Sequence, residues 1–577
     1  MKILTEWRSP GKWKLFRLDD RLLLILIGIV VGACSGVASV ALNRSLAAMV
    51  EWLAAFRQIW WAFVLPGIGA SLSSLFLEKI TREGEGHGVP EVIYSVNRHR
   101  GLIRFRSSFS RLISACLTIG SGGSAGPEAP VVISGAAIGS NIANFFSLND
   151  RQRIALVGCG AAGAISAIFN APIAGMVFGM EVILGEWSAA NIIPIGIASV
   201  AGTQMSRLLE GNQIPFAHRL FHLGSLDIAT SVGLAVVTGL ASVLVGKMIR
   251  NVHAVSSRVS LPPWVRAGIG GCAVGVIGLF LPTVLGEGYP SVRLAIEGVF
   301  QSGLLIVAVV TLAKIVATAL TLGSGGSGGI FAPCLVIGSF AGLTYHRALL
   351  LLWPSVPWAN EGYFALLGMA GLMSGVLQAP LTGFFLIVEI TGGYEVVLPL
   401  IIVATISTTI CGYLEPVSFY LKELVEKGQL LRPGTDSCVL AELDIEEVFE
   451  DRFLTIEKNM SLQDFIDAAA QQPRRHYPVV DDKTGEFLGV VELERLLPYL
   501  RNPEINRNVS VAEIMNSEID RASPDEELKE ILRRMDEKGM DSMPLVHRGK
   551  FVGMVSKARL LDMYRQELKR QTQGKDV

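Results

Sequence analysis

Residues 117–130 read LTIGSGGSAGPEAP, and residues 320–333 read LTLGSGGSGGIFAP. The two stretches are offset by 203 residues, Leu117 to Leu320. Both sit inside apolar sequence, where a flexible linker has no place. The differences between them are few: Pro127-Glu128 in the first becomes Ile330-Phe331 in the second. One element is therefore built twice, and only one copy carries a carboxylate.

The repeat extends outward from these loops. The stretch ALVGCGAAGAISAIFNAPIAGMVFGMEV from Ala155 has a counterpart in ALLGMAGLMSGVLQAPLTGFFLIVEI from Ala365. Ala171-Pro172 matches Ala379-Pro380, and Glu181 matches Glu389, both at an offset of 208. Two halves, about 22–225 and 226–430, share one plan. The residues alone leave a parallel and an inverted relation between them open.

Half of the 577 residues are hydrophobic and 18% are charged, a balance too oily for an ordinary soluble protein. The 61 glycines suit close helix packing in lipid. Segments such as Val131–Phe146, Ile154–Ile168 and Tyr363–Val376 read as shorter than the roughly 20 residues that cross a bilayer. Short segments at matching places in two halves point to an internal transport site. A net charge of −1 gives no case for nucleic acid. The seven cysteines, among them Cys116, Cys159, Cys272 and Cys411, show no metal or disulfide spacing. Residues 1–21 are basic, which predicts a cytoplasmic N-terminus ahead of a retained first span from Leu22. The VGAC before that span's midpoint resembles a lipoprotein cleavage site at Cys34, a reading set aside because many apolar segments follow.

After about Gly428 the pattern becomes amphipathic. Residues 431–505 and 506–570 read as two small soluble α/β modules. Each has a strand pair (YPVV with GVV, then PLV with GMV) followed by a helix, the first pair turning at Lys483-Thr484-Gly485.

A Gly-Ser break between membrane helices exposes backbone N–H groups at the start of the next helix, with the positive end of its dipole behind them. Two such ends make an anion site without full positive charges. Glu128, in the first loop, would occupy that site itself and act as a gate, leaving it by moving or by taking a proton.

These motifs resemble the CLC family of chloride channels and chloride/proton antiporters, with a C-terminal pair of CBS domains, over nearly the whole chain. The family's first anion motif resembles GHGVPEV (Gly86–Val92), its second GPEAP (Gly126–Pro130) and its third GIFAP (Gly329–Pro333). The resemblance implies an all-α polytopic fold with an inverted repeat and broken helices, plus the α/β CBS pair. It also implies a homodimer in the bilayer with one anion pathway per subunit. The expected anion-binding residues are His87, Gly88, Gly126, Ala129, Gly329, Ile330, Phe331 and Tyr420, with Glu128 gating. Amides around Ser121–Gly126 and Gly329–Phe331 are expected to replace hydration, and no cofactor is expected beyond bound chloride. A multi-pass protein of a prokaryotic inner membrane, both termini cytoplasmic, follows from the same resemblance.

The departures carry information. His87 stands where the family often has a serine, Pro127 replaces a usual basic residue and removes an N–H donor, and Ala129 replaces a glycine. Val182 stands where antiporters commonly carry an inner proton-transferring glutamate, which favours a channel; an antiporter using Glu128 with water or His87, or a fluoride exporter, is the alternative. Glu181 and Glu389 read as structural. Lys314, an intramembrane charge, needs a partner that the sequence does not name. In the tail, CBS ligand positions fall on Glu492 and Arg495, and on Ser556 and Arg559. Arginine replaces the expected ribose acid in both modules, so adenine nucleotide is a doubtful ligand there.

Two readings come from other classes. GGSAG (Gly122–Gly126) and GGSGG (Gly325–Gly329) fit the G-x-S-x-G pattern of a serine hydrolase, which demands a strand-to-helix elbow and a positioned histidine. A CBS-regulated cation transporter demands clusters of membrane carboxylates, and the apolar segments hold few acids.

Overall fold

The computed structural model describes residues 20–56, 59, 61–83, 88–212, 216, 225–300, 302–426, 443, 445–450, 453–472, 474–481, 484–496, 499, 509–526 and 528–572. His87, Lys483 and the basic N-terminal residues fall outside them. The chain divides into two compact units, 1–430 and 431–577.

The first unit is helical, and its α-helices run in two matching series, followed by Phe419–Glu426, which carries Tyr420. Asp20–Ala54, Leu65–Leu75, Val89–Arg98, Ser107–Gly120, Glu128–Phe145, Asp150–Phe169, Pro172–Phe178 and Ala189–Glu210 make the first. Ser225–Arg258, Pro263–Phe280, Tyr289–Ile296, Leu304–Gly323, Phe331–Leu352, Glu361–Leu377, Pro380–Thr391 and Val397–Leu414 make the second. Nine stretches among the described residues are long and apolar enough to cross a membrane. Asp150–Phe169 is one of them at 20 residues, longer than the Ile154–Ile168 core suggests. Its extra turn is polar: Asn149 and Gln152 form a capping box, bonded at 2.9 and 3.1 Å. Hydrophobicity alone does not see such a turn. Glu361–Leu377 does stay short, at 17 residues, capped by Asn360 on the Tyr363 amide at 3.1 Å.

Glycine permits close helix contact in each half. A Cβ on Gly135 would stand 2.2 Å from the Gly160 carbonyl oxygen, and one on Gly338 would stand 2.4 Å from that of Gly368. Without a hydrophobic force between helices in lipid, backbone-to-backbone van der Waals contact holds these crossings.

The relation between halves is written in reciprocal bonds. Gly126 N–H donates to Gly329 O at 2.8 Å, and Gly329 N–H donates to Gly126 O at 2.7 Å, an antiparallel bridge. Ser124 N–H donates to the Thr321 hydroxyl at 3.0 Å, and Ser327 N–H to the Thr118 hydroxyl at 3.3 Å. Contacts that return when partners are exchanged define a two-fold relation. Its axis passes between Gly126 and Gly329.

The second unit holds two three-stranded sheets. His476–Val480 pairs antiparallel with Phe487–Glu492, and Ile456–Glu457 joins in parallel. Ser542–His547 pairs antiparallel with Lys550–Ser556 through a tight turn at Arg548 and Gly549, whose φ values are 52° and 83°. The third strand of this second sheet is Phe449–Glu450, from the start of the first module. Two residues carry no alternation, so that crossing is invisible in the sequence.

Candidate functional site

The two Gly-Ser loops meet at the centre of the first unit, and Glu128 begins the helix that leaves the first loop. Its side chain is fully buried. One carboxylate oxygen accepts the Tyr289 hydroxyl at 2.5 Å, and the other lies 3.4 Å from the Ala332 N–H of the second loop's helix. A Cβ on Gly126 would stand 1.9 Å from that second oxygen and 3.0 Å from the Ala332 nitrogen. The carboxylate thus folds back between the loops, into the space the two helix N-termini enclose. Gly126 does not lie in the left-handed region, so alanine fits its backbone. Gly126→Ala is therefore expected to push the carboxylate out, with the Ala332 backbone giving by a few tenths of an ångström. Anion flux in vesicles should rise towards that of a Glu128 side-chain deletion; flux equal to that of the parent protein would show that the carboxylate lies elsewhere.

The donors differ from the expectation. The amides of Gly126 and Gly329 bind each other's carbonyls and are spent on the two-fold bridge. Those of Gly122, Gly123 and Ala125 bind Ile119, Thr118 and Gly123 carbonyls, and that of Ser124 binds Thr321. Residues 122–126 and Gly329 thus shape the site without donating to an ion, because a tight loop consumes its own N–H groups. The first-turn amides remain: Ala129, Ile330 and Phe331 have no acceptor among the described residues, as helix N-termini require. The Tyr420 hydroxyl is also buried without a hydrogen-bond partner among the described residues. Buried polar atoms are almost always paired, so this phenol keeps a free donor inside the core. Phe331 packs in the same core and meets Phe178 edge-to-face at 5.4 Å.

Gly88 belongs to the same place. Its φ is 83°, and a Cβ there would stand 2.9 Å from the Ala129 carbonyl oxygen. His87, one residue before it, lies outside the described residues. The approach to this motif is held by a group that sequence reading missed. Glu83 accepts the Ser107 and Ser110 hydroxyls at 2.8 and 2.6 Å, while buried Arg111 pairs with both Glu83 and Glu91.

Tyr289 was missed too, although its signal is visible. Gly86-His87-Gly88-Val89-Pro90 and Gly286-Glu287-Gly288-Tyr289-Pro290 share the pattern G-x-G-x-P at an offset of 200. Gly88 and Gly288 are the residues before Val89–Arg98 and Tyr289–Ile296, with φ of 83° and 88°. The 286–290 loop is the first motif's counterpart in the second half. Lys314 finds its partners here: its ammonium donates to the carbonyls of Val284 at 3.0 Å and Gly286 at 2.9 Å. Tyr289, Glu287, Ser121 and Pro127 line a cavity of about 950 Å³ that reaches Glu210 and Phe216.

Val182 is half-buried in a π-helical turn, Gly179–Leu184, and has no group that carries a proton. Its neighbour Glu181 reaches into the other half, accepting from the amides of Leu381 at 3.2 Å and Thr382 at 2.7 Å and from the Thr382 hydroxyl at 2.6 Å. Glu389 answers it on Ile173 and Ala174 at 3.0 and 2.7 Å. Each carboxylate caps the Ala-Pro helix of the opposite half. The hydrolase pattern fails on geometry. The Ser124 hydroxyl bonds Thr318 at 3.1 Å, the Ser327 hydroxyl bonds Ser114 at 2.8 Å, and helices rather than strands precede both loops.

In the second unit a cavity of about 390 Å³ is lined by Arg475, His476, Glu492, Glu518, Asp520 and Asp541, among others. Arg475 bridges Asp541 at 2.8 Å and Glu494 at 3.2 Å. The Lys538 ammonium beside Asp520 holds its carboxyl below the ordinary value, and burial pushes the His476 imidazole down. Arg495 sits on the short helix after Glu492, and Ser556 accepts the Arg559 N–H at 3.2 Å as a helix cap.

Paired helix ends, a carboxylate folded between them and a buried unpartnered phenol define an anion-transport protein of the CLC type. The chain belongs to the voltage gated chloride channel family, whose model matches residues 69–412, and CBS domain models match residues 445–502 and 511–565. It is 30% identical over 396 residues to a relative named as a ClcB-like chloride channel protein, from Ralstonia nicotianae, covering 66% of this chain and 91% of that one. It is 30% identical over 422 residues to the H(+)/Cl(-) exchange transporter ClcA of Klebsiella pneumoniae, covering 68% and 86%. The fold is shared with a slow cyanobacterial Cl-/H+ antiporter at TM-score 0.65 and 23% identity, covering 71% of this chain and 99% of that one. It is also shared with a eukaryotic CLC transporter at TM-score 0.62 and 17% identity, covering 93% and 98%. The protein is a multi-pass membrane protein, and its relatives are transport proteins.

Proposed function

We propose that this protein moves chloride in exchange for protons, with Glu128 as the group both ions share. The observation that carries this is the carboxylate of Glu128 held between the two loop helices, where an anion would otherwise sit. A carboxylate there must leave or be neutralised before the anion passes, and protonation does this. The relative named an H(+)/Cl(-) exchange transporter supports exchange over a passive pore. With Val182 unable to relay protons and Glu181 committed to its helix cap, water or His87 completes the route. The central ion is held by the Ile330 and Phe331 amides and the Tyr420 hydroxyl, with Gly88 and Ala129 beside it. The protein works as a homodimer with one pathway per subunit, in a prokaryotic inner membrane with both termini cytoplasmic.

A second reading, a chloride channel gated by Glu128, is favoured by Val182 itself. The two separate in liposomes carrying a chloride gradient, with chloride and external pH recorded together. Exchange drives protons uphill against their gradient; a channel sets up a voltage and moves none.

The CBS pair regulates transport in this reading. Its cleft gathers Glu492, Glu494, Glu518, Asp520 and Asp541 against Arg475 and Lys538, which repels a polyphosphate. That acidic lining disfavours adenine nucleotide; in this reading the pair responds to charge or to pairing with another copy.

A further inference from the structure

We propose that Tyr289 is the latch of the gate: its hydroxyl holds the Glu128 carboxylate in the anion position and so sets how readily an anion displaces it. The inference rests on the reading of Glu128 as the gate. Four observations carry it. The Tyr289 hydroxyl donates to Glu128 at 2.5 Å, much closer than the Ala332 N–H at 3.4 Å, so the phenol is the nearer donor to the carboxylate. Tyr289 lines the 950 Å³ cavity while Glu128 does not, so the residue that holds the carboxylate is also one that the cavity reaches. Its loop is clamped: Lys314 ties down the Val284 and Gly286 carbonyls, and a Cβ on Gly288 would stand 2.9 Å from Val336 and 3.3 Å from the Lys314 ammonium. The ring is braced edge-on against Phe216 at 6.0 Å. A phenol fixed on that scaffold loses little freedom when it bonds, and a bond to an ionised acceptor is stronger than one between neutral groups. The loop is the two-fold counterpart of the first anion motif, so a loop that serves the ion in one half serves the gate in the other. Tyr289 acts through Glu128 and is a positioning residue.

Carboxylate and chloride compete for one place, so weakening the latch raises the fraction of protein able to bind the ion. Chloride binding to the purified full-length protein, measured by titration calorimetry, reads this directly. Tyr289→Phe keeps the ring and its packing against Phe216. It is expected to tighten chloride binding about tenfold, the worth of one hydrogen bond to a charged acceptor. Glu128→Gln is expected to tighten binding at least as much, and adding Tyr289→Phe to it should change nothing further. A purely structural role would give the same effect in both backgrounds, and that additivity would overturn the latch. Unchanged binding in Tyr289→Phe with tightened binding in Glu128→Gln would also overturn it, while leaving the gate in place. Unchanged binding in both would overturn the gate and the latch together.

Discussion

Glu128→Gln is expected to abolish proton movement and raise chloride flux at neutral pH, on the order of tenfold. The amide keeps the side chain's size, but as a neutral group it no longer offers the Tyr289 hydroxyl a charged acceptor. It loses the charge and the proton-binding site. A population dominated by the carboxylate between the loops would shift to one in which that place is open to an ion, and flux follows the open fraction. The external-pH dependence should vanish at the same time, because the titrating group is gone. Vesicle flux measured across a range of external pH from acid to neutral checks both parts. Flux in Glu128→Gln that still falls as pH rises would mean that another group gates the path.

The second large effect falls on stability rather than transport. Glu181→Ala and Glu389→Ala each remove a carboxylate that accepts at least two backbone N–H groups at the start of the opposite half's Ala-Pro helix. Hydrogen bonds to a charged group contribute about 1.5–3 kcal/mol each, and the amides left behind find no water at membrane depth. Each substitution is expected to cost about 3 kcal/mol or more, and the pair about twice that if the sites act independently. Thermal unfolding in detergent should show a large loss for each single variant and a larger one for the double. A double variant as stable as the parent would mean that the two caps are not what fastens the halves together.

Much of this was legible because the chain states its plan twice. The 203-residue offset of the Gly-Ser loops and the 208-residue offset of Glu181 and Glu389 foretell the reciprocal bonds that the structure contains. Glu128 was visible as the one carboxylate in a duplicated loop. The spent amides of Gly126 and Gly329 were not, because a glycine-rich string does not say whether its N–H groups face an ion or each other. Tyr289 stayed hidden for a different reason: the Gly-x-Gly-x-Pro repeat is too short to stand out, and its partner is 161 residues away in sequence. Lys314 announced a need for partners but not their kind, since backbone carbonyls leave no trace in composition. The two-residue strand Phe449–Glu450 is likewise defined only by the sheet that receives it.

The most direct test of the central claim is crystallographic: bromide located by its anomalous scattering in Glu128→Gln, grown at high bromide. The account predicts one peak within reach of the Ile330 and Phe331 amides and the Tyr420 hydroxyl, and a second where the Glu128 carboxylate lies between the loops. Bromide absent from both places, with flux intact, would contradict it.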